Sequence, residues 1–320
     1  MGRYIIRRIL QAIPLLFLVT IFMFILIHLI PGGADQVIFN PHLSAAGRAA
    51  LRARFGLDQP VPIQYLKWLG NALTGNFSFS FGTNQPVGDI LKQRFPATLQ
   101  LFVPALALAL VIAVLLGVIS ALRHGTATDY TLTTLAYIGI CMPIFLLGLF
   151  AQEIFGVWLH WFPTSGTSNY ATNPDPLSAF VDHIQHLILP MLVLAISFVG
   201  GWSRYMRSSM IDVVKQDYIR TGRAQGVTTS ALMVRHALRN AVIPLITIVA
   251  LDFGAVAGGA TITEGIFAWP GLGLLFFQSL AIRDYPVLMA ELLLGAVFVI
   301  AFNLIADILY AVMDPRIRYS

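Results

Sequence analysis

The sequence predicts an all-α polytopic membrane protein: six transmembrane helices, a small external segment after the first span, and a cytoplasmic helix pair between the fourth and fifth. Three observations predict it. Only 11% of the 320 residues are charged and 57% are hydrophobic, against roughly 25% charged in an average soluble chain. The mean hydropathy is +0.77, and so much apolar surface cannot be hidden inside one soluble domain that must keep a polar shell. The apolar residues also gather into six runs, most of them at or above the roughly 20 residues that a helical span needs. A soluble enzyme, a disordered chain and a collagen-like chain are excluded.

The first run, residues 9–30, follows the basic start Arg3, Arg7, Arg8 and ends in Ile30-Pro31-Gly32-Gly33. It exceeds the roughly 7–15 apolar residues of a cleaved signal peptide and lacks a small-residue cleavage site, so it reads as a retained anchor. Residues 31–96 form the external segment. Within it, Leu51-Arg52-Ala53-Arg54-Phe55-Gly56-Leu57 reads as a short helix stopped by glycine, and Asp58-Gln59-Pro60-Val61-Pro62 as a stiff link. Residues 63–73 read as a second helix with Tyr65 and Trp68 at the membrane interface. Residues 97–320 form a five-span core with spans near 97–122, 130–155, 187–201, 241–262 and 287–313. The fourth of the six is short unless it continues through Trp202 to Met206.

Basic residues orient the chain. With both termini inside, Arg3, Arg7, Arg8, Arg123, Arg316, Arg318 and the seven basic residues of the 204–240 loop are cytoplasmic, 13 of the 20. Arg48, Arg52, Arg54, Lys67, Lys92, Arg94 and Arg283 are outside. The positive-inside bias therefore places both ends in the cytoplasm, as an even number of spans requires. The net charge of +5 is ordinary for such a chain, and no nucleic-acid partner is expected.

Enzyme signatures are absent. None of Lys67, Lys92 and Lys215 follows a glycine, so there is no phosphate-binding Gly-Lys-Ser/Thr loop. No histidine is followed by glutamate, and no serine has glycines two residues away on both sides. His183 and His186 lack a third ligand, which leaves no metal site and favours interfacial solvation for the pair. Cys141 is the single cysteine, so no internal disulfide forms. Any energy source belongs to a partner or an ion gradient.

The 204–240 loop reads as helix, stop, helix. Asp217 stands at the start of the first piece and Arg220 and Arg223 toward its end, as the macrodipole favours. Gly226 takes the position just past the helix end. Thr228 or Thr229 caps the second piece, residues 230–240, which puts Arg235, His236 and Arg239 on a cytosolic face. Physics alone leaves two uses open: a helix pair lying on anionic lipid, or a docking surface.

Asp217-Tyr218, then Arg223-Ala224-Gln225-Gly226, then Arg235-His236-Ala237-Leu238-Arg239-Asn240-Ala241 and Pro244, resembles the cytoplasmic signature of binding-protein-dependent ABC importer permeases. More narrowly, the chain resembles the B-type permease of the dipeptide/oligopeptide/nickel family over nearly its whole length. Arg7-Arg8, Ile30-Pro31-Gly32, Phe55-Gly56-Leu57-Asp58-Gln59-Pro60 and Pro96-Ala97-Thr98-Leu99 carry the first half. Trp161-Phe162-Pro163-Thr164-Ser165-Gly166, Glu264, Trp269-Pro270-Gly271-Leu272-Gly273, Arg283-Asp284-Tyr285-Pro286 and Asp314-Pro315-Arg316-Ile317-Arg318 carry the second. The chain departs from the family at Gly222, where alanine is usual, at Gln225 for lysine, at Leu274 for a basic residue and at Asn76 for aspartate.

The resemblance implies one half of a heteromeric pore in a prokaryotic inner membrane. Its partners would be a second six-span, C-type permease, two cytosolic ATPase subunits, an external substrate-binding protein and membrane lipid. ATP and Mg would be used by the ATPases, with no cofactor on this chain. The cargo implied is a short peptide, with nickel or another small solute as the alternative. Coupling to the ATPases falls on Asp217, Tyr218, Arg220, Thr221, Arg223, Ala224, Gly226, Arg235, His236, Arg239 and Asn240. Contact with the binding protein falls on Glu264, Trp269, Pro270, Arg283 and Asp284.

Four acids sit at membrane depth: Glu153, Asp252, Glu291 and Asp307. Such groups face a cavity or a partner. Glu153 and Asp307 lie near span ends, where structural roles suffice. Asp252 and Glu291 lie deeper, in spans five and six, and are the candidates for the substrate path; there a passing ammonium would offset the cost of desolvating a carboxylate. The small residues Gly254, Ala255, Gly258, Gly259 and Ala260 read as a helix-packing surface. An ion-gradient carrier would also use these acids, but no inverted repeat is visible. A scaffold subunit is a third possibility.

Overall fold

The computed structural model describes residues 2–29, 58–169, 175–258 and 260–313. Twelve α-helices connect in order among them, with no strand beyond an isolated Phe79–Pro86 bridge. They are α1 Gly2–Leu29, α2 Val61–Leu73, α3 Val87–Leu122, α4 Ala127–Cys141, α5 Ile144–Ala151, α6 Pro176–Val214, α7 Asp217–Ala224, α8 Thr229–Leu232, α9 Leu238–Phe253, α10 Thr261–Ile266, α11 Leu272–Ile282 and α12 Tyr285–Met313.

Five stretches are long and apolar enough to cross a membrane: Ile6–Leu29, Val87–Leu122, Pro176–Val214, Met233–Val256 and Tyr285–Leu309. The stretch expected as one span near 130–155 is two helices bent by 99° at a short break, and it makes a sixth crossing only if the pair counts together. Pro143 explains the break. It has no amide to donate and disfavours helical geometry in the residue before it, and Met142 accordingly sits at φ −77, ψ 120.

Other expectations shift at their ends. The helix around span four covers 39 residues, well beyond the apolar run, because Asp175 caps it, accepting from the Ser178 amide at 3.3 Å, and Pro176 suits its first turn. Span five does not reach residue 262: α9 tightens into a 3-10 turn at Gly254–Gly258, and Thr261–Ile266 is a separate helix. The helix expected at residues 63–73 forms at Val61–Leu73, started by proline. The short helix expected at residues 51–57 lies outside the described residues.

The described residues fall into two compact units. One gathers residues from 1–98, 255–261 and 270–300. In it α2 lies along α1, with Thr20 Oγ1 and Tyr65 OH 2.9 Å apart and the Phe24 ring stacked on His28. Phe24, Ile27, Tyr285, Leu288 and Met289 form one core cluster, and Tyr65 and Trp68 pack on it instead of only facing the interface. Val87, Ile90 and Leu91 of α3 pack with Leu272, Leu275, Val287 and Ala290 in a second.

The same unit contains a knot built on one carboxylate. Asp284 accepts from Ser80 Oγ, from the Phe81 amide at 3.0 Å and from the Gly82 amide at 3.1 Å. Ser80 Oγ in turn accepts from the Thr83 amide at 3.0 Å. Gly82 fits because a Cβ there would lie 2.5 Å from the Ile282 side chain.

The other unit gathers 99–254, 262–269 and 301–320. Leu189, Val193 and Phe267 form one of its core clusters, wrapped by Ile144, Leu147, Ala151, Phe155, Phe162 and Ile266. Gln152 Nε2 donates to the Thr164 and Ile266 carbonyls at 2.6 and 3.0 Å, which ties α5 to the chain on both sides. His183 Nδ1 donates to the Thr167 carbonyl, 3.1 Å away, and His186 is buried, its Nδ1 donating to the Asp182 carbonyl at 2.8 Å. His186 is therefore packed where solvation was expected, whereas His183 stays partly exposed.

Candidate functional site

The loop after α6 builds a compact protrusion. α7 carries Asp217 in its first turn and Arg223 in its last. It ends in a Schellman closure: the Gly226 amide donates to the Arg223 carbonyl at 3.0 Å and the Val227 amide to Gly222 at 3.2 Å. Gly226 sits at φ +80, a conformation in which a side chain is strained. Thr228 is the residue before α8, and its carbonyl accepts from the Leu232 amide at 3.0 Å. The expected glycine stop is what the structure contains.

The second piece differs from expectation. It is not a separate helix over 230–240: α8 passes through a π-helical turn, Met233–Ala237, straight into α9. Ile219, Leu232, Met233 and Ala237 are buried beneath the protrusion. Asn240 Nδ2 donates to Tyr218 OH at 2.9 Å and so fastens α7 to α9. Gly222 makes room for Leu232, whose methyl would lie 2.6 Å from an added Cβ. That contact gives a reason for glycine where alanine is usual in the family.

Asp217, Tyr218, Arg220, Thr221, Arg223, Ala224 and Gly226 are exposed, as are Arg235, His236, Arg239 and Asn240. The structure therefore brings the candidate coupling residues onto one short helical protrusion over a buried apolar floor. Arg220 and Asp217 are 3.8 Å apart and both well exposed, an ion pair of little energetic weight.

The membrane-depth acids separate. Asp252 is half-buried and accepts from Trp202 Nε1 at 2.7 Å; Trp202 itself is buried and packs beside Phe198. Its partner is an indole of its own chain, where the sequence suggested cargo or a neighbouring subunit. Glu291 is buried, at 4% exposure. Glu153 is exposed, in the π-helical turn Gln152–Trp158, and Asp307 is half-buried.

The expected binding-protein contacts need correcting. Glu264 and Trp269 are fully buried and Asp284 is 2% exposed, so none of the three presents its side chain to a docking protein. Asp284 is consumed by the knot around residues 80–83. Pro270 and Arg283 are partly exposed; the Pro270 carbonyl accepts from Arg94 at 3.3 Å. Arg283 closes α11 in the left-handed region at φ 57.

One polar cluster escaped the sequence reading. Arg207 grips Asp129 through two nitrogens, Nε and Nη2, each at 2.7 Å. The same carboxylate accepts from Ser120 Oγ and from the Gly125 amide at 3.0 Å, with His124 Nδ1 at 3.1 Å. Thr126 and Asp129 have the spacing of an N-terminal capping pair, which hid the aspartate's main partner 78 residues away.

The chain matches two adjoining families: the binding-protein-dependent transport system inner membrane component over residues 113–319, and that component's N-terminal region over residues 1–102. The chain belongs to the binding-protein-dependent transport system inner membrane components. It is 44% identical to the oligopeptide transport system permease protein AppB of Bacillus subtilis, 41% to a putative peptide permease protein of Brucella ovis, and 37% to the glutathione transport system permease protein GsiC of Escherichia coli K12. Each comparison covers the whole of both chains. An inner-membrane component of this family is a multi-pass permease subunit of an ABC importer and not an enzyme. It works with a substrate-binding protein and with ATPase subunits that hydrolyse ATP. An ion-gradient carrier and a scaffold subunit are thereby set aside.

Proposed function

We propose that this inner-membrane component forms half of a peptide-translocating pore and receives the ATPase stroke through residues 217–240. The observation that carries this reading is the protrusion itself. A floppy loop would absorb an imposed displacement, whereas α7 is closed by two hydrogen bonds at Gly226, pinned to α9 through Tyr218 and Asn240, and floored by buried apolar side chains. Peptide cargo is supported by the names of the relatives, which include oligopeptide and glutathione systems.

In this reading, the second half of the pore is a C-type permease with six spans of its own. The bent pair α4–α5 serves as this chain's sixth crossing. Both termini and the 204–240 loop face the cytoplasm, where the ATPases bind ATP and Mg, and residues 31–96 face outward. The three segments 1–30, 31–96 and 97–320 then act as anchor, external cap and core. Asp252 borders the cargo path, and the outward docking of the binding protein falls to Pro270 and Arg283. ATPase closure pushes α7 and rocks the spans to which α6 and α9 connect it.

The test uses the assembled importer in liposomes, with peptide-loaded binding protein outside. Peptide should stimulate ATP hydrolysis, and Gly226→Val should abolish most of that stimulation while the spans stay inserted, because a β-branched residue is strained at this φ. Stimulation by nickel and not by peptide would overturn the cargo. Full stimulation in an assembled Gly226→Val importer would overturn the coupling role.

A further inference from the structure

The described chain leaves a cavity where α3, α4 and α6 meet. Its two ends differ in chemistry. Ser120, Thr133 and Arg207 line it near the α3–α4 turn, with Ser203 and Arg204 beside them. One to two helical turns deeper the lining is apolar: Leu116, Ala136 and Ile140. Arg207 is already committed to Asp129. Arg204 is held instead by two rings, its guanidinium 6.0 Å from the centre of Tyr137 and 5.8 Å from that of Tyr205. No carboxylate partners it among the described residues. Both tyrosines are exposed, as are Leu135 and Ile138 on the same helix as Tyr137.

A cation flanked by exposed tyrosines at the end of apolar spans is the composition of a membrane–water interface. The hydroxyls of Ser120 and Thr133 already donate to Asp129 and that of Ser203 to the Gly200 carbonyl, so the Arg204 guanidinium is what that end offers an anion. With apolar groups at the other end, the cavity matches a phosphodiester anion attached to a hydrocarbon chain. A peptide carboxylate would satisfy Arg204 equally, but the amides behind it would face Leu116, Ala136 and Ile140 without partners. We propose that this cavity binds an anionic phospholipid, with the phosphate on Arg204 and the first part of an acyl chain along Ala136 and Ile140. The proposal rests on the orientation given above, which puts the cavity at the cytoplasmic leaflet, where anionic headgroups attract basic residues.

The test is native mass spectrometry of the full chain released from nanodiscs that mix phosphatidylglycerol with phosphatidylcholine. The two leaflets are identical there, so the result is independent of orientation, which thiol labelling settles separately. The wild-type chain should retain phosphatidylglycerol in preference to phosphatidylcholine. Arg204→Gln should lower that retention roughly fivefold, the order expected for one basic residue at an anionic surface, and Arg204→Lys should restore much of it. Lys92→Gln, at an exposed ion pair elsewhere, should change nothing. Ala136→Leu fills the apolar end without altering charge and should also reduce retention. This arm stands if Arg204→Gln fails to fold. Equal retention of the two lipids, or undiminished retention in Ala136→Leu, would overturn the site. Displacement by soluble glycerol 3-phosphate would point to a free phosphate in place of a lipid. Loss of the lipid from wild-type chain in the assembled importer would mean that the second permease covers the cavity, and would equally overturn it.

Discussion

Asp129 shows how much one side chain commits. Buried at 1% exposure, it is ionised in a bidentate pair with Arg207 and is satisfied on all sides by Ser120, Gly125 and His124. Removing one member of such a pair strands the other charge, so Arg207→Ala should destabilise the chain by about 3–5 kcal/mol. Asp129→Ala combined with Arg207→Ala should cost less than the sum of the single changes, because neither charge is left alone. Thermal unfolding of the purified chain in detergent measures the cycle, and additive losses would mean that the pair carries no coupling. Nothing near Asp129 in the chain announces Arg207: a capping aspartate and a basic residue at a span end each have a sufficient local explanation. Asp252 was found by its depth, but its Trp202 partner was not, since an indole donor has no sequence signature.

The helices that carry these residues pack through single atoms. Gly200 and Gly201 are neighbours on α6 with opposite surroundings. A Cβ at Gly200 would lie 2.5 Å from Ile140 Cγ1 and 2.6 Å from the Ala136 carbonyl, whereas one at Gly201 meets nothing within 4 Å. Gly200→Ala should therefore cost about 1–3 kcal/mol by overpacking α4 on α6. Gly201→Ala should be neutral or stabilising by up to about 1 kcal/mol through helix propensity. Equal melting temperatures for the two variants would show that α4 can withdraw from α6 without loss. Element identity was largely legible because spans are written as long apolar runs. What was not legible has specific causes. Pro143 divides a run whose hydropathy is continuous, since hydropathy does not see a missing amide. The α8–α9 junction is continuous through a π-helical turn at Met233–Ala237, although the polar face of Arg235, His236 and Arg239 suggested a separate loop helix. The Gly226 stop was legible because only one residue type occupies that backbone position cheaply.

For the whole molecule, the 13-to-7 partition of basic residues gives an orientation that labelling can check. In a Cys141→Ala background, cysteines placed beside Gly226 should resist a membrane-impermeant thiol reagent added to intact cells, and Gln59→Cys and Ser168→Cys should react. Labelling beside Gly226 from outside would reverse the chain and remove the protrusion from the ATPases. The six-run pattern and the loop motif were enough to reach the family. The outward contacts were not: Glu264, Trp269 and Asp284 stand in a recognisable pattern, yet they are buried and serve the fold. The Asp284 knot also bears on biosynthesis. Its donors at residues 80–82 leave the ribosome about 200 residues before the carboxylate that holds them. At roughly 5–20 residues per second the turn waits on the order of 10–40 s for its acceptor. A nascent chain stopped before Asp284 therefore lacks the one acceptor that the Ser80 hydroxyl and the Phe81 and Gly82 amides share in the finished protein, and until then water must serve those three donors.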